Sequence, residues 1–422
     1  MRILWLSMTP GLLHEGHGTG NYGGSGWIGA LQHLFCDAHT ENELALSFIS
    51  DKEKEKIERN GVIYYPIYEK PENALKKIYR YYYGYRSYNR ELYVNQILEV
   101  INDYKPDIIH LFGLENPLAT ILGRTDCPVV VHLQGLLAPC NNAFYPSSFS
   151  RCSLVWPPTR REWLFRNGFL YSKKTFEVRS VKESDLFKDA QYFMGRTEWD
   201  LHLTRLLSIN AKYYKVNEAL RPPFYDNAGK WKYSSGKFII ISTISETIYK
   251  GLDLILKIAK ILKQETTIDY EWNVVGVCEN SNLVRFFERN LRINSKDVNV
   301  NYVGVMNAEE LINNCLSSSV YVHPSYIDNS PNSICEAQLL GVPIIATNVG
   351  GVSSLIKHKE NGILVPANDP YETAFWLKEL SENPALVSTI SMNGMSTATK
   401  RHDRKQILND LLGFYKQIIE QI

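Results

Sequence analysis

An α/β fold of two doubly wound domains is predicted by three features of the 422-residue sequence. Short Val/Ile/Leu-rich runs alternate with helical patterns, a stretch of turn formers divides the chain near its middle, and each half repeats the alternation. The apolar runs fall at residues 2–8, 44–50, 107–112, 129–133, 238–242, 272–275, 320–323 and 344–347. Near-continuous apolar strands separated by helices mark parallel sheets, because crossover helices cover both faces. Between Arg221 and Lys237, Pro222, Pro223, Asn227, Gly229, Ser234, Ser235 and Gly236 stand without periodicity and punctuate the chain. The expected division is a first domain over 1–221, a linker over 222–236 and a second domain over 237–402. Residues 403–422 carry Ile407, Leu408, Leu411, Leu412, Tyr415, Ile418, Ile419 and Ile422 on one stripe. They form a long amphipathic helix, expected to join the first domain. Two such domains facing each other bring the carboxyl ends of both sheets to one cleft, where ligands bind.

Composition narrows the function. Forty-six basic and 45 acidic side chains give a formal charge of +1, which argues against a nucleic-acid binder resting on overall charge. The seven cysteines are odd in number and contain no C-x-x-C pair, so neither a disulfide framework nor a zinc site is expected. The first apolar run is too short for a signal peptide, and no stretch approaches 18 apolar residues. A cytoplasmic location is expected, extending to the inner face of the membrane.

The most informative stretch runs from His323 to Gly341. A strand is predicted to end at His323; Ser330 suits an N-cap, Pro331 the first helical position and Gly341 the helix C-terminus. The free amides of Asn332 and Ser333 would then point from a positive helix end, a ready site for a diphosphate. Glu336, one turn deeper on the same face, could accept from two ribose hydroxyls, and Asp328 precedes the cap, facing whatever the phosphates carry. A second lysine-bearing feature converges on this place. Lys250-Gly251 follows the strand 238–242 and opens a helix, where a lysine sits at the unfavourable end of the dipole unless an anion lies between.

These residues resemble the retaining glycosyltransferases of family 4, which have the GT-B fold. Asp328 and Glu336 reproduce the spacing of that family's paired glutamates, with aspartate in first place. His323-Pro324-Ser325, Glu336-Ala337, Gly341-Val342-Pro343 and Gly350-Gly351 follow the family pattern. The resemblance implies that Glu336 holds the donor ribose, Asp328 lies near the transferred sugar and Lys250 holds the diphosphate. The family also has an arginine where this chain has Ser245, a missing charge that Arg196 is a candidate to supply. A histidine expected before Gly135 is replaced by Gln134, with His132 two residues earlier on the same side of the strand.

In the first half, His110, His132 and Gln134 are predicted at strand ends facing the acceptor and sugar. Gly23 and Gly24, in the loop after the first strand, would let the backbone approach the donor. Residues 18–23 spell a dinucleotide fingerprint, but too far from the preceding strand to carry a dehydrogenase reading. Thr197-Glu198-Trp199-Asp200 reads as a helix cap. Two basic, aromatic segments, 70–90 and 151–182, suit an anionic membrane surface.

The expected activity is transfer of a sugar from a nucleotide diphosphate, a UDP-sugar foremost, to a hydroxyl of a glycan or lipid-linked glycan in bacterial surface polysaccharide synthesis. No metal, no further cofactor and no nucleic acid is called for. Three other classes compete. Asp328 and Glu336 could serve a glycoside hydrolase, the fingerprint an oxidoreductase, and the departures at Asp328 and Ser245 a non-catalytic protein that binds a nucleotide sugar.

Overall fold

The computed structural model describes residues 1–15, 26–38, 41–69, 90–146, 149 and 169–421. Gly23 and Gly24, the 18–23 fingerprint and most of the two basic, aromatic segments lie outside the described residues.

Eight strands form the first sheet: β1 Arg2–Ser7, β2 Glu43–Ser50, β3 Ile57–Arg59, β4 Val62–Tyr68, β5 Ile108–Phe112, β6 Val129–His132, β7 Tyr192–Gly195 and β8 Lys212–Lys215. They run in the order β3-β4-β2-β1-β5-β6-β7-β8, parallel except for the β3–β4 hairpin. The second sheet holds β9 Phe238–Thr243, β10 Tyr270–Val275, β11 Val300–Gly304, β12 Val320–His323, β13 Ile344–Thr347 and β14 Ile363–Val365. Its order is β11-β10-β9-β12-β13-β14, every pairing parallel. The order reverses between β9 and β12 in this sheet and between β1 and β5 in the other. In open sheets of this kind, ligands bind outside the carboxyl ends of the strands at such reversals, since the two adjoining crossovers leave in opposite directions.

The alternation of each central strand explains why its sequence is apolar throughout. In β1, Ile3 and Trp5 pack with the helix Gly26–Asp37 and the helix Arg404–Ile419, while Leu4 and Leu6 face the helix Arg90–Tyr104. Successive residues of a strand point to opposite faces, and both faces are covered. The 404–419 helix closes the first layer with Ile407, Leu411, Tyr415 and Ile418. Tyr415 sits deepest: its hydroxyl accepts from Trp5 Nε1 at 3.3 Å and meets His110 Nδ1 at 2.5 Å.

This layer corrects the placement of two histidines. His110 shares the face of Ile108 and Phe112 and is fully buried against Tyr415, not at the cleft. His132, also fully buried, lies between Trp27, edge-on at 4.7 Å, and the tilted His110 ring at 5.2 Å. Burial drives both rings toward the neutral form, His110 down to about 3, and for His132 the neighbouring Arg196 charge adds to the effect. Among the described residues, no helix is long and apolar enough to cross a membrane.

Candidate functional site

The loops after β9 and β12 meet at the reversal point of the second sheet. After β9 the chain makes a short 3-10 turn, Ile248–Lys250, and Gly251 then adopts a left-handed φ of 82° before the helix Leu252–Glu265. Lys250 therefore precedes that helix rather than opening it. Only glycine fits next: a Cβ on residue 251 would lie 2.1 Å from the Pro324 carbonyl oxygen. The Tyr326 amide donates to the Tyr249 carbonyl at 2.8 Å, tying the two loops together.

That tie sets Lys250 Nζ 2.7 Å from Asp328 Oδ2, with His323 Nε2 at 3.1 Å from the same oxygen. The Asn329 amide donates to Asp328 Oδ1 at 3.1 Å. Both ends of the ion pair are partly open, 23% and 16% exposed. Burial alone would raise the Asp328 carboxyl. The Lys250 charge and the His323 contact outweigh it and hold the group well below the usual carboxylate range. Gly350 and Gly351 back the loop, the Gly351 amide donating to the Asp328 carbonyl at 3.0 Å.

The next helix is Asn332–Leu340, and Pro331, not Ser330, is its N-cap residue. Proline offers no side-chain acceptor, and no side chain caps this end. Asn332 and Ser333, both half-buried, thus head an open, positive helix terminus. Gly341 ends the helix with a left-handed φ of 92°. Ser330 is drawn elsewhere: its hydroxyl donates to Glu218 Oε1 at 2.5 Å.

Glu336 and Arg196 are held by the protein itself. Arg221 donates through Nε and Nη2 to the two carboxylate oxygens of Glu336, both at 2.7 Å, and the Glu336 side chain is 5% exposed. A ribose would have to compete with this bidentate pair. Arg196, 3% exposed, donates through Nη2 to the carbonyls of Leu133 and Gln134 and lies over the Trp27 ring. Its Nη2 is engaged by the main chain, while its Nε is buried without a hydrogen-bond partner among the described residues; Ser245, where the arginine is absent, is exposed and bonded to Thr247. Gln134, half-buried, lies at the seam between the two sheets through its carbonyl.

That seam contains residues that sequence reasoning passed over. Asn329 reads as a turn former, yet its side chain accepts from Thr197 Oγ1 at 2.7 Å and donates to the Gln134 carbonyl and to Asp200 Oδ2, both at 3.2 Å. Thr197 and Asp200 form a reciprocal capping box at the helix Glu198–Leu207. Below it lies Glu218, fully buried. Besides Ser330 it accepts from Cys335 Sγ at 3.0 Å and from Arg401 Nη2 at 3.4 Å. Burial opposes its charge, but Arg401, His402 and Arg196 hold it ionised far below the ordinary range. The capping box is the cap expected from the sequence; no local pattern announces the contacts of Asn329 and Glu218.

Two further carboxyls stand near the reversal point of the first sheet. Glu115 follows β5 and folds back over Gly113, whose φ is +83°. Glu183 Oε2 accepts from the amides of Leu137 and Ala138 at 2.7 and 3.2 Å, capping the short helix Leu137–Asn142. Burial raises Glu115 to about 7; burial, then the charge of Glu115, raises Glu183 to about 8. A carboxyl raised on folding stabilises fully below its unfolded value, about 4.3, and that contribution is lost as pH climbs through the folded value. Glu183→Gln, which keeps an acceptor for both amides, should therefore gain thermal stability over wild type progressively from pH 5 to pH 8. Paired melting curves check this; a pH-independent difference would count against it.

Residues 226–397 match the family of glycosyl transferases group 1. An uncharacterized glycosyltransferase of Haemophilus influenzae is 30% identical over 174 residues, 41% of this chain and 44% of that protein; the chain spans less than half the length of this curated relative. Sucrose-phosphate synthase from Thermosynechococcus elongatus superposes with a TM-score of 0.72 at 14% identity, covering 100% of both chains. Anabaena HepE, solved in complex with UDP and glucose, gives 0.67 at 15% identity over 99% of this chain and 100% of that one. The two-sheet architecture is the GT-B fold, and Lys250, Asp328 and the open helix end all fall in the part of the chain that matches glycosyl transferases group 1.

Proposed function

We propose that the protein is a retaining, metal-independent glycosyltransferase that moves a sugar from a nucleotide diphosphate, a UDP-sugar foremost, to a hydroxyl of a glycan or lipid-linked glycan acceptor. Surface polysaccharide synthesis at the cytoplasmic side of a bacterial membrane is the setting this reading fits. One observation carries it: an ammonium paired to a carboxylate, 2.7 Å apart, in the loops that lead to an uncapped helix end at the reversal point of the second sheet. Anabaena HepE, of the same fold, is solved with UDP and glucose.

The chemistry follows from where charge develops. As the glycosidic bond to the diphosphate lengthens, negative charge gathers on the departing phosphate. Groups that meet it there, and less so in the ground state, lower the barrier. Lys250 is held ready by Asp328, and the amides of Asn332 and Ser333 add fixed dipoles that need no reorganisation. The departing phosphate would take the acceptor's proton on the face it leaves, so the configuration is kept. Asp328, already ionised, would balance positive charge on the sugar ring.

The test is a thermal-shift series with UDP, GDP, ADP and their sugar conjugates. A ligand that binds only the folded state raises the melting temperature by mass action, equivalent to about 2.7 kcal/mol at a hundredfold excess over Kd. A rise with a UDP compound is expected. No response to any nucleotide would remove the donor site from consideration.

A further inference from the structure

The chain after β6 leaves its own sheet and packs on the other domain. The helix Leu137–Asn142 is joined to the helix Phe169–Asp189 by Lys173, which donates to the main chain and side chain of Asn141. Just after the first of these helices, Phe144, 2% exposed, belongs to the hydrophobic cluster that contains Ile248, Leu252 and Leu256 of the second domain. Phe144, Phe176 and Tyr249 form a closed triangle of rings, with centroids 5.3, 6.1 and 6.0 Å apart. A second contact sets Phe149 and Phe169 against Phe286, at 5.6 and 4.9 Å.

Tyr249 stands at a junction. Its ring is held by two side chains of the first domain, its carbonyl by the amide of Tyr326 on the Asp328 loop, and Lys250 is the next residue. Short turns transmit a displaced ring to the neighbouring backbone, since packed interiors shift between discrete arrangements. We infer that Tyr249 is a positioning residue: packing of Phe144 and Phe176 on its ring holds Lys250 where it meets a diphosphate, so that domain contact and anion binding are coupled. The inference rests on the donor reading above and adds the coupling.

Calorimetric titration with UDP, alone and across a double-mutant cycle, tests it. Tyr249→Ala and Phe176→Ala should each weaken UDP binding about three- to tenfold, the range set by an aromatic pair. The double variant should be no weaker than Tyr249→Ala, because both remove one contact. Tyr249→Phe, which keeps the ring, should bind as wild type does. Without ligand, hydrogen exchange over 169–189 should quicken in Tyr249→Ala. A wild type that binds no nucleotide overturns the donor reading, leaving the exchange measurement to judge the docking. A wild type that binds UDP while Tyr249→Ala and Phe176→Ala match it, or while their losses simply add, overturns the coupling. Phe176→Ala lies remote in sequence from the lysine loop, so its own UDP affinity, unchanged or weakened, decides the coupling even if Tyr249→Ala folds poorly.

Discussion

Replacing Lys250 by alanine is expected to lower kcat/KM about a hundred- to a thousandfold, the loss that follows removal of one preorganised group facing a developing anion. The shift in melting temperature with UDP should vanish with it. The structure makes the direction specific, because the change leaves Asp328 as an unbalanced carboxylate beside the approaching phosphates, with His323 its remaining side-chain partner. Lys250→Arg should recover part of the binding and little of the turnover, since the wider fork does not reproduce a point charge 2.7 Å from Asp328. Steady-state kinetics with the donor found by thermal shift would show this. An alanine variant that keeps wild-type turnover would end the assignment of the lysine.

Glu218→Ala is expected to have the largest effect on stability, about 3–5 kcal/mol, the cost of stripping one partner from a buried ion pair. Arg401, whose side chain is 10% exposed, would lose its carboxylate, and Ser330 and Cys335 would lose their acceptor together. Glu218→Gln should fall between, because an amide oxygen still accepts from Ser330. Chemical denaturation gives both numbers. The pH dependence has a definite sign: the carboxyl is depressed on folding, so its stabilisation is present above the unfolded value near 4.3 and disappears as pH falls through the lower folded value. Acid unfolding of Glu218→Gln should therefore be shallower than that of wild type, and equal slopes would contradict the pairing.

What was legible in the sequence was local. The apolar runs at 2–8, 44–50, 238–242 and 320–323 mark central strands because both their faces are covered. Gly341 announces a helix end because few other residues take its φ. Strands β3, β4, β7, β8, β11 and β14 lie outside the predicted runs; in β11, only Val300 is buried, Asn301 and Val303 being exposed and Tyr302 and Gly304 half-buried, so it shares little of the central pattern. Longer-range pairings were out of reach. Glu336 meets Arg221 across 115 residues, Ser330 meets Glu218 across 112 and Asn329 meets Thr197 across 132. In each case a side chain that local rules would offer to a ligand or to its own helix finds a stronger partner in the other half. His110 misled for a related reason: with both faces of β5 covered, nothing in the pattern distinguishes the strand's open end from its buried middle.

The Arg404–Ile419 helix has a practical consequence for anyone wishing to dissect the molecule. Because Tyr415 seats against Trp5 and His110, a fragment cut at residue 221 would emerge with an unroofed sheet and a solvent-facing indole. The workable piece is a graft, in which the 404–419 segment is spliced back after β8 through a short tether.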